Sequence, residues 1–207
     1  MNSQRLTLIS FAVLLVVVGG LALWPRLTGA DKVELNLAVQ PVMGEIGADA
    51  QVAIFFDFLC PHCATFSDSI TPIIEREFVR TGKAAVYFVN FPVMDPVISH
   101  NLARLGECVY QQNNDAFMAV ERALMRSQDQ IPNLDRAMQI AKEFAPGIDH
   151  NEVDECYTPN ATRDAVLEDV KAANGLNVRA TPSVIVNGEH VDLNMPAIRN
   201  AIEAAQN

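Results

Sequence analysis

The run QVAIFFDF, Gln51 to Phe58, limits the possible folds more than any other stretch of the chain. It is β-branched and aromatic and too apolar throughout to keep one face in water, so it reads as a central strand covered on both sides. From Pro61 onward, Phe66, Ile70, Ile73, Ile74 and Phe78 recur at helical spacing, which marks an amphipathic helix that Pro72 should kink. Thr81–Lys83 (TGK) closes that helix with a glycine, and AAVYFVNF, Ala84 to Phe91, reads as a second buried strand. A strand, helix, strand order implies a parallel pair joined by a right-handed crossover.

Beyond Pro96 the texture turns helical. NLARLGECVYQQ, DAFMAVERALMRSQ, NLDRAMQIAKEFA and ATRDAVLEDVKAANG are divided by breakers such as IPN and APGIDHN, which predicts an all-helical insertion over residues 96–175. TPSVIVNGEHV returns to strand, with a tight hairpin turn at Asn187–Glu189, and NMPAIRNAIEAA closes the chain as a helix capped by Asn194. A chain of 207 residues, half of them hydrophobic, buries one good core rather than two large ones. The expected organisation is therefore one α/β domain in two parts, residues 31–95 and 176–207, split by the helical insertion.

Residues 1–30 stand apart. LTLISFAVLLVVVGGLALW, Leu6 to Trp24, is 19 residues without a charge, near the length a helix needs to cross a bilayer. Small residues at Thr28–Ala30 offer a cleavage site, so a signal-anchor and a cleaved signal peptide both stay open, and either sends the remainder out of the cytoplasm. The net charge of −10, from 15 Lys and Arg against 25 Asp and Glu, argues against a nucleic-acid partner, because no basic stripe could neutralise phosphates.

Four cysteines remain, Cys60, Cys63, Cys108 and Cys156. Outside the membrane an even count favours disulfides, and of the three possible pairings Cys60–Cys63 with Cys108–Cys156 is the natural one, since the close pair can bond locally at a helix start. At that place unpaired backbone N–H groups and the helix dipole favour negative charge, and His62 between the two sulfurs can add more positive potential, so a reactive thiolate is favoured at Cys60. Cys63, one turn inward, is placed to resolve a mixed disulfide. A zinc site needs about four ligands and this motif brings two, while a staple across so short a loop would constrain the unfolded chain least. His100, His150 and His190 have no partners at ligand or triad spacing.

FFDFLCPHC followed far downstream by RATPSVIVNG resembles the DsbA group of thioredoxin-fold thiol oxidases, and the likeness runs from about Met43 to the C-terminus. The resemblance implies an α/β thioredoxin fold with an inserted all-helical domain, preceded by an N-terminal hydrophobic export or anchor helix. It makes Cys60 the exposed nucleophile, Cys63 the buried resolving cysteine and His62 the thiolate stabiliser. Pro61, Thr181 and a cis Pro182 become substrate-binding positions, with the Thr181 backbone free to pair with an extended peptide. Cys108–Cys156 becomes a structural disulfide, and beyond the redox-active Cys60–Cys63 pair no cofactor or metal is implied. Substrates would be reduced or unfolded exported proteins, and reoxidation would fall to a membrane partner of the DsbB or vitamin K epoxide reductase (VKOR) type. The protein would act as a monomer, extracytoplasmic and tethered by residues 6–24.

One position departs from the family: six residues before the first cysteine, where a buried acid is usual, stands Ile54. Asp57, three before Cys60, either follows a pattern of membrane-anchored relatives or caps the loop. Two other readings stay open, a reductase or isomerase of the same fold that must be kept reduced, and a copper- or zinc-handling protein using Cys60, Cys63 and His62.

Overall fold

The computed structural model describes residues 35–157 and 161–206, so the apolar segment Leu6–Trp24 and the expected anchor lie outside the described residues. Five strands make one sheet: β1 (Val42–Met43), β2 (Ala50–Phe56), β3 (Ala84–Asn90), β4 (Ser183–Val186) and β5 (Glu189–Val191), in the order β1-β3-β2-β4-β5. The two apolar runs sit where their composition demands. β2 is central and parallel to β3, with Ile54 opposite Phe88, while β4 lies antiparallel on its other side, with Ile54 opposite Val184. β4 and β5 form a hairpin whose turn residues Asn187 and Gly188 both take positive φ, at 46° and 89°, the combination a two-residue hairpin turn requires.

Because side chains alternate along a strand, β2 sends its residues to two cores. Val52, Ile54 and Phe56 face one, together with Phe66, Ile74 and Ile198, and Ala53 and Phe55 face the other with Val89, Ala173 and Ile185. On the first face the chain leaves β2 into α1 (Pro61–Ser69) and α2 (Thr71–Ile74), then a π-helical turn over Glu75–Val79. The helix breaks at Ile70 because Pro72 has no N–H to give to the preceding turn. The closing helix, α8 (Met195–Ala204), packs Ile198 and Ile202 on the same side and is capped by Asn194, whose side chain accepts from the Ala197 N–H.

The segment between β3 and β4 is helical: α3 (Ile98–Gln112), α4 (Asn114–Arg126), α5 (Leu134–Phe144), α6 (His150–Tyr157) and α7 (Ala161–Gly175). None of the four helical stretches quoted from the sequence contains α6. The reason is that only Val153 of its eight residues is buried, which leaves no readable period. α7 carries Ala173 onto the second face of the sheet, so the last helix of the insertion also covers the α/β half. The insertion shares the first core: Phe58, just after β2, and Phe117 of α4 are each 1% exposed and belong to one cluster. Each such side chain contributes about 1.5–3 kcal/mol by leaving water. Gly106 of α3 allows this approach, because a Cβ there would stand 3.2 Å from the Phe58 ring and 3.3 Å from that of Phe117.

A buried polar cluster ties the end of β3 to the helices. The Asn90 side chain donates to Glu107 Oε1 of α3 at 2.8 Å and to Asp169 Oδ2 of α7 at 3.2 Å, and Gln40 Nε2 donates to Asp169 Oδ1 at 2.7 Å. Burial, with the Asp169 carboxylate adding to it, pushes Glu107 up to about 8, and burial raises Asp169 to about 6. A carboxyl that holds its proton more tightly when folded adds stability that is complete below its ordinary range and is lost as pH rises through the folded value. Unfolding free energy should therefore fall by roughly 3 kcal/mol between about pH 5 and 8 through Glu107 alone. Glu107→Gln should remove most of that slope in urea melts run with a chelator, so that only protons exchange. An equal slope in the variant would assign the dependence elsewhere.

Candidate active site

Cys60 stands where β2 hands over to α1. It is the N-cap of α1, extended at φ −79° and ψ 117°, and Pro61 follows at the first helical position, where a missing N–H costs nothing. Both Cys60 and Cys63 are thiols here. Facing them is the loop into β4, where the Thr181–Pro182 bond is cis, and the Cys60 thiol donates to the Thr181 carbonyl at 3.2 Å. Cys60, Cys63, Thr181 and Pro182, 121 residues apart at the extremes of that contact, thus meet at one point.

One expectation is corrected. Cys60 is not exposed: the residue keeps 2% of its surface because the Thr181 carbonyl lies on its sulfur. His62 is exposed at the second position of α1. Among the described residues no three His, Cys, Asp or Glu side chains are grouped to hold a metal, Cys60, Cys63 and His62 included.

Cys63 lies behind Cys60 at 3% exposure. Burial pushes its thiol well above the usual range; a hydrogen bond with the Asp57 backbone works against this, and the neighbouring Cys60 adds to it. Cys63 is therefore held as a thiol at rest.

Asp57 is fully used by the loop. Its Oδ1 accepts from the Leu59 N–H at 2.8 Å, and its Oδ2 accepts from the N–H groups of Val93 at 2.6 Å and Met94 at 2.8 Å. The carboxylate so ties the turn before Cys60 to the loop after β3, whose Val93, Met94 and Val97 are exposed.

Two residues escaped the sequence reading. Gln128, just past α4, donates through Nε2 to the carbonyls of both Phe58 and Cys60 at 2.9 Å. Glu121 of α4 is 3% exposed and accepts from Ser67 Oγ at 3.1 Å. Burial pushes it up to about 7, against the Ser67 hydrogen bond and the charges of Arg122 and Arg126. Cys63, Ile54, Ser67, Glu121 and Pro182 line one narrow cleft with room for about one water molecule. Both long-range partners sit in helical segments where an isolated Gln or Glu looks like surface, so no local signal marks them.

A dithiol in Cys-Pro-His-Cys spacing at a helix start, against a cis-proline loop, is the arrangement of a thioredoxin-fold redox protein. The thioredoxin family model matches residues 37–204, and the chain belongs to that family, as a DsbA-like thiol:disulfide oxidoreductase. It is 29% identical over 170 residues to the probable disulfide bond formation protein D of Bacillus anthracis, covering 80% of this chain and 78% of that protein. The disulfide bond formation protein D of Bacillus subtilis is 29% identical over 157 residues, covering 72% and 68%. Among solved structures, oxidised BdbD from Bacillus subtilis superposes with a TM-score of 0.73 at 25% identity, covering 82% of this chain and 94% of that one. Chlamydia trachomatis DsbA shares the fold at a TM-score of 0.72 and 17% identity, over 84% and 94%.

Proposed function

We propose that the protein donates its Cys60–Cys63 disulfide to exported proteins outside the cytoplasm. The observation that carries the reading is the placement of Cys60 at the N-cap of α1, with its sulfur on the cis Thr181–Pro182 loop and Cys63 buried behind it. In the oxidised form a substrate thiolate attacks Cys60 Sγ, the intramolecular S–S bond breaks, and Cys63 leaves with the electron pair and takes up a proton. A second substrate thiolate then attacks the substrate sulfur of the mixed disulfide and releases Cys60 as a thiolate, which the helix N-terminus favours. Two substrate thiols are oxidised and the protein dithiol is formed.

Substrate enters by exchanging its own backbone for the Thr181 contact, with Pro61 and Pro182 flanking the sulfur and His62 adding positive charge at the rim. Exposed Val93, Met94 and Val97 offer an apolar edge beside it, suited to chains that have not yet buried their own side chains. Reoxidation belongs to a membrane partner of DsbB or VKOR type, with residues 6–24 keeping the monomer at the membrane.

Equilibration of the full chain in graded glutathione buffers, followed by mass after alkylation, tests the direction. A midpoint well above thioredoxin's, about −270 mV, is expected for a donor of disulfides. A midpoint at or below it would reverse the assignment to a reductase.

A further inference from the structure

We infer that Glu121 serves as the acid–base partner of Cys63, taking its proton when Cys63 attacks and returning it when Cys63 leaves; this rests on the exchange proposed above. The attacking species is the thiolate, yet burial at 3% exposure holds Cys63 as a thiol, so its proton needs an acceptor close by inside the protein. Of the residues lining the cleft around it, Glu121 is the carboxylate. Ser67 stands one helical turn beyond Cys63 on the same face of α1, and its hydroxyl is bonded to Glu121 at 3.1 Å. The remaining gap has room for about one water. Sulfur, hydroxyl and carboxylate thus share one cleft, in which a single water would complete the path from the α/β half into the insertion.

The surroundings favour this use over a plain structural one. β2 and β3 turn only Ile54, Phe56 and Phe88 into the cleft, and α2 turns Thr71. The charged neighbours are Arg122 and Arg126 on Glu121's own helix, which reach outward to Glu75 at 3.2 Å and Asp68 at 3.0 Å, so neither occupies the carboxylate. A single hydroxyl is a poor match for a buried carboxylate with two acceptor oxygens. With its proton affinity raised to about 7 by burial, the group can both give and accept near neutral pH.

The steps balance. During reoxidation by a disulfide such as glutathione disulfide, the Cys60 thiolate takes one glutathione sulfur and releases glutathione thiolate. Cys63 then passes its proton to Glu121, attacks Cys60 Sγ, and expels the second glutathione thiolate; Glu121 later gives the proton to solvent. In the donating direction protonated Glu121 quenches the departing Cys63 thiolate.

The test is single-turnover oxidation of the reduced full chain by glutathione disulfide, quenched in acid and read by mass, over about pH 5 to 9. The glutathione adduct on Cys60 appears and then decays as Cys63 closes the ring. In Glu121→Gln the closing step should slow by about 10²-fold at neutral pH and lose the inflection near pH 7. Adding Ile54→Glu to that variant places a carboxyl in the same cleft from β2 and should return both rate and inflection. Closure at the parent rate in Glu121→Gln, or slowed closure that keeps the parent's inflection, would overturn the inference. Should Glu121→Gln fail to fold, infrared difference spectra of the unaltered protein decide: a carboxyl band must change between dithiol and disulfide forms, and a flat carboxyl region would sink the idea. Failure of the unaltered protein to form any adduct at Cys60 would instead count against the proposed function.

Discussion

Cys60→Ser abolishes disulfide transfer to a reduced peptide. Cys63→Ala, which can form no Cys60–Cys63 bond, also loses that transfer, but its Cys60 thiolate still attacks an oxidised substrate, releases one of its sulfurs as a thiolate and stops at the adduct. The two cysteines divide the reaction by position. Cys60 carries the sulfur at the helix N-terminus against the Thr181–Pro182 loop, the contact a substrate must displace, and a serine hydroxyl there neither forms a disulfide nor leaves as a stable anion. Cys63 is buried behind it, so no second thiol from solvent replaces it. In non-reducing gels and intact mass, Cys63→Ala incubated with a disulfide-bonded substrate should accumulate covalent complexes that vanish on adding reductant, and Cys60→Ser should accumulate none. Parent-level peptide oxidation by Cys60→Ser would remove Cys60 from the mechanism.

Loss of the second cysteine pair should cost stability and not chemistry. Cys108 of α3 and Cys156 of α6 are bonded, with Cα atoms 5.7 Å apart and a sequence separation of 48. In the chain-entropy account a crosslink closing a loop of that size stabilises by about 4 kcal/mol. For a domain of this length that corresponds to a fall of about 10 °C in melting temperature for the Cys108→Ala/Cys156→Ala protein. α6 has a single buried residue, Val153, and is otherwise held by this bond and by Tyr157, whose hydroxyl donates to Asn101 Oδ1 at 2.6 Å, so the loss should be concentrated there. Below the melting range the glutathione midpoint of Cys60–Cys63 should stay at the parent value. A midpoint that moved with the distal pair would mean the two are coupled.

The α/β part was legible because its strands are extreme. β2 and β3 bury nearly every residue, and a run of seven such positions has few other homes than the middle of a sheet. The turn Asn187–Gly188 carried its own backbone instruction, and Cys60-Pro61-His62-Cys63 declared a helix start. What composition could not carry was anything held by a partner far along the chain. Glu121 reaches Ser67 across 54 residues, and Gln128 reaches Phe58 across 70. Asp57, read in two ways from its neighbours alone, is occupied by N–H groups 36 and 37 residues on. The burial of Cys60 likewise depends on a carbonyl that only folding brings to it. Period and propensity describe a segment; these contacts belong to the assembly of segments.

Gln128 gives the helical insertion a place in the protein's architecture that a lid would not have. One amide holds the carbonyls of Phe58 and Cys60, the last bonds that fix the approach to the nucleophile, and it comes from beyond the end of α4. Deleting the insertion to obtain a minimal redox module would therefore strip backbone support from the very turn such a module must preserve. A shortened chain would need a new donor at that spot before it could dispense with the old one.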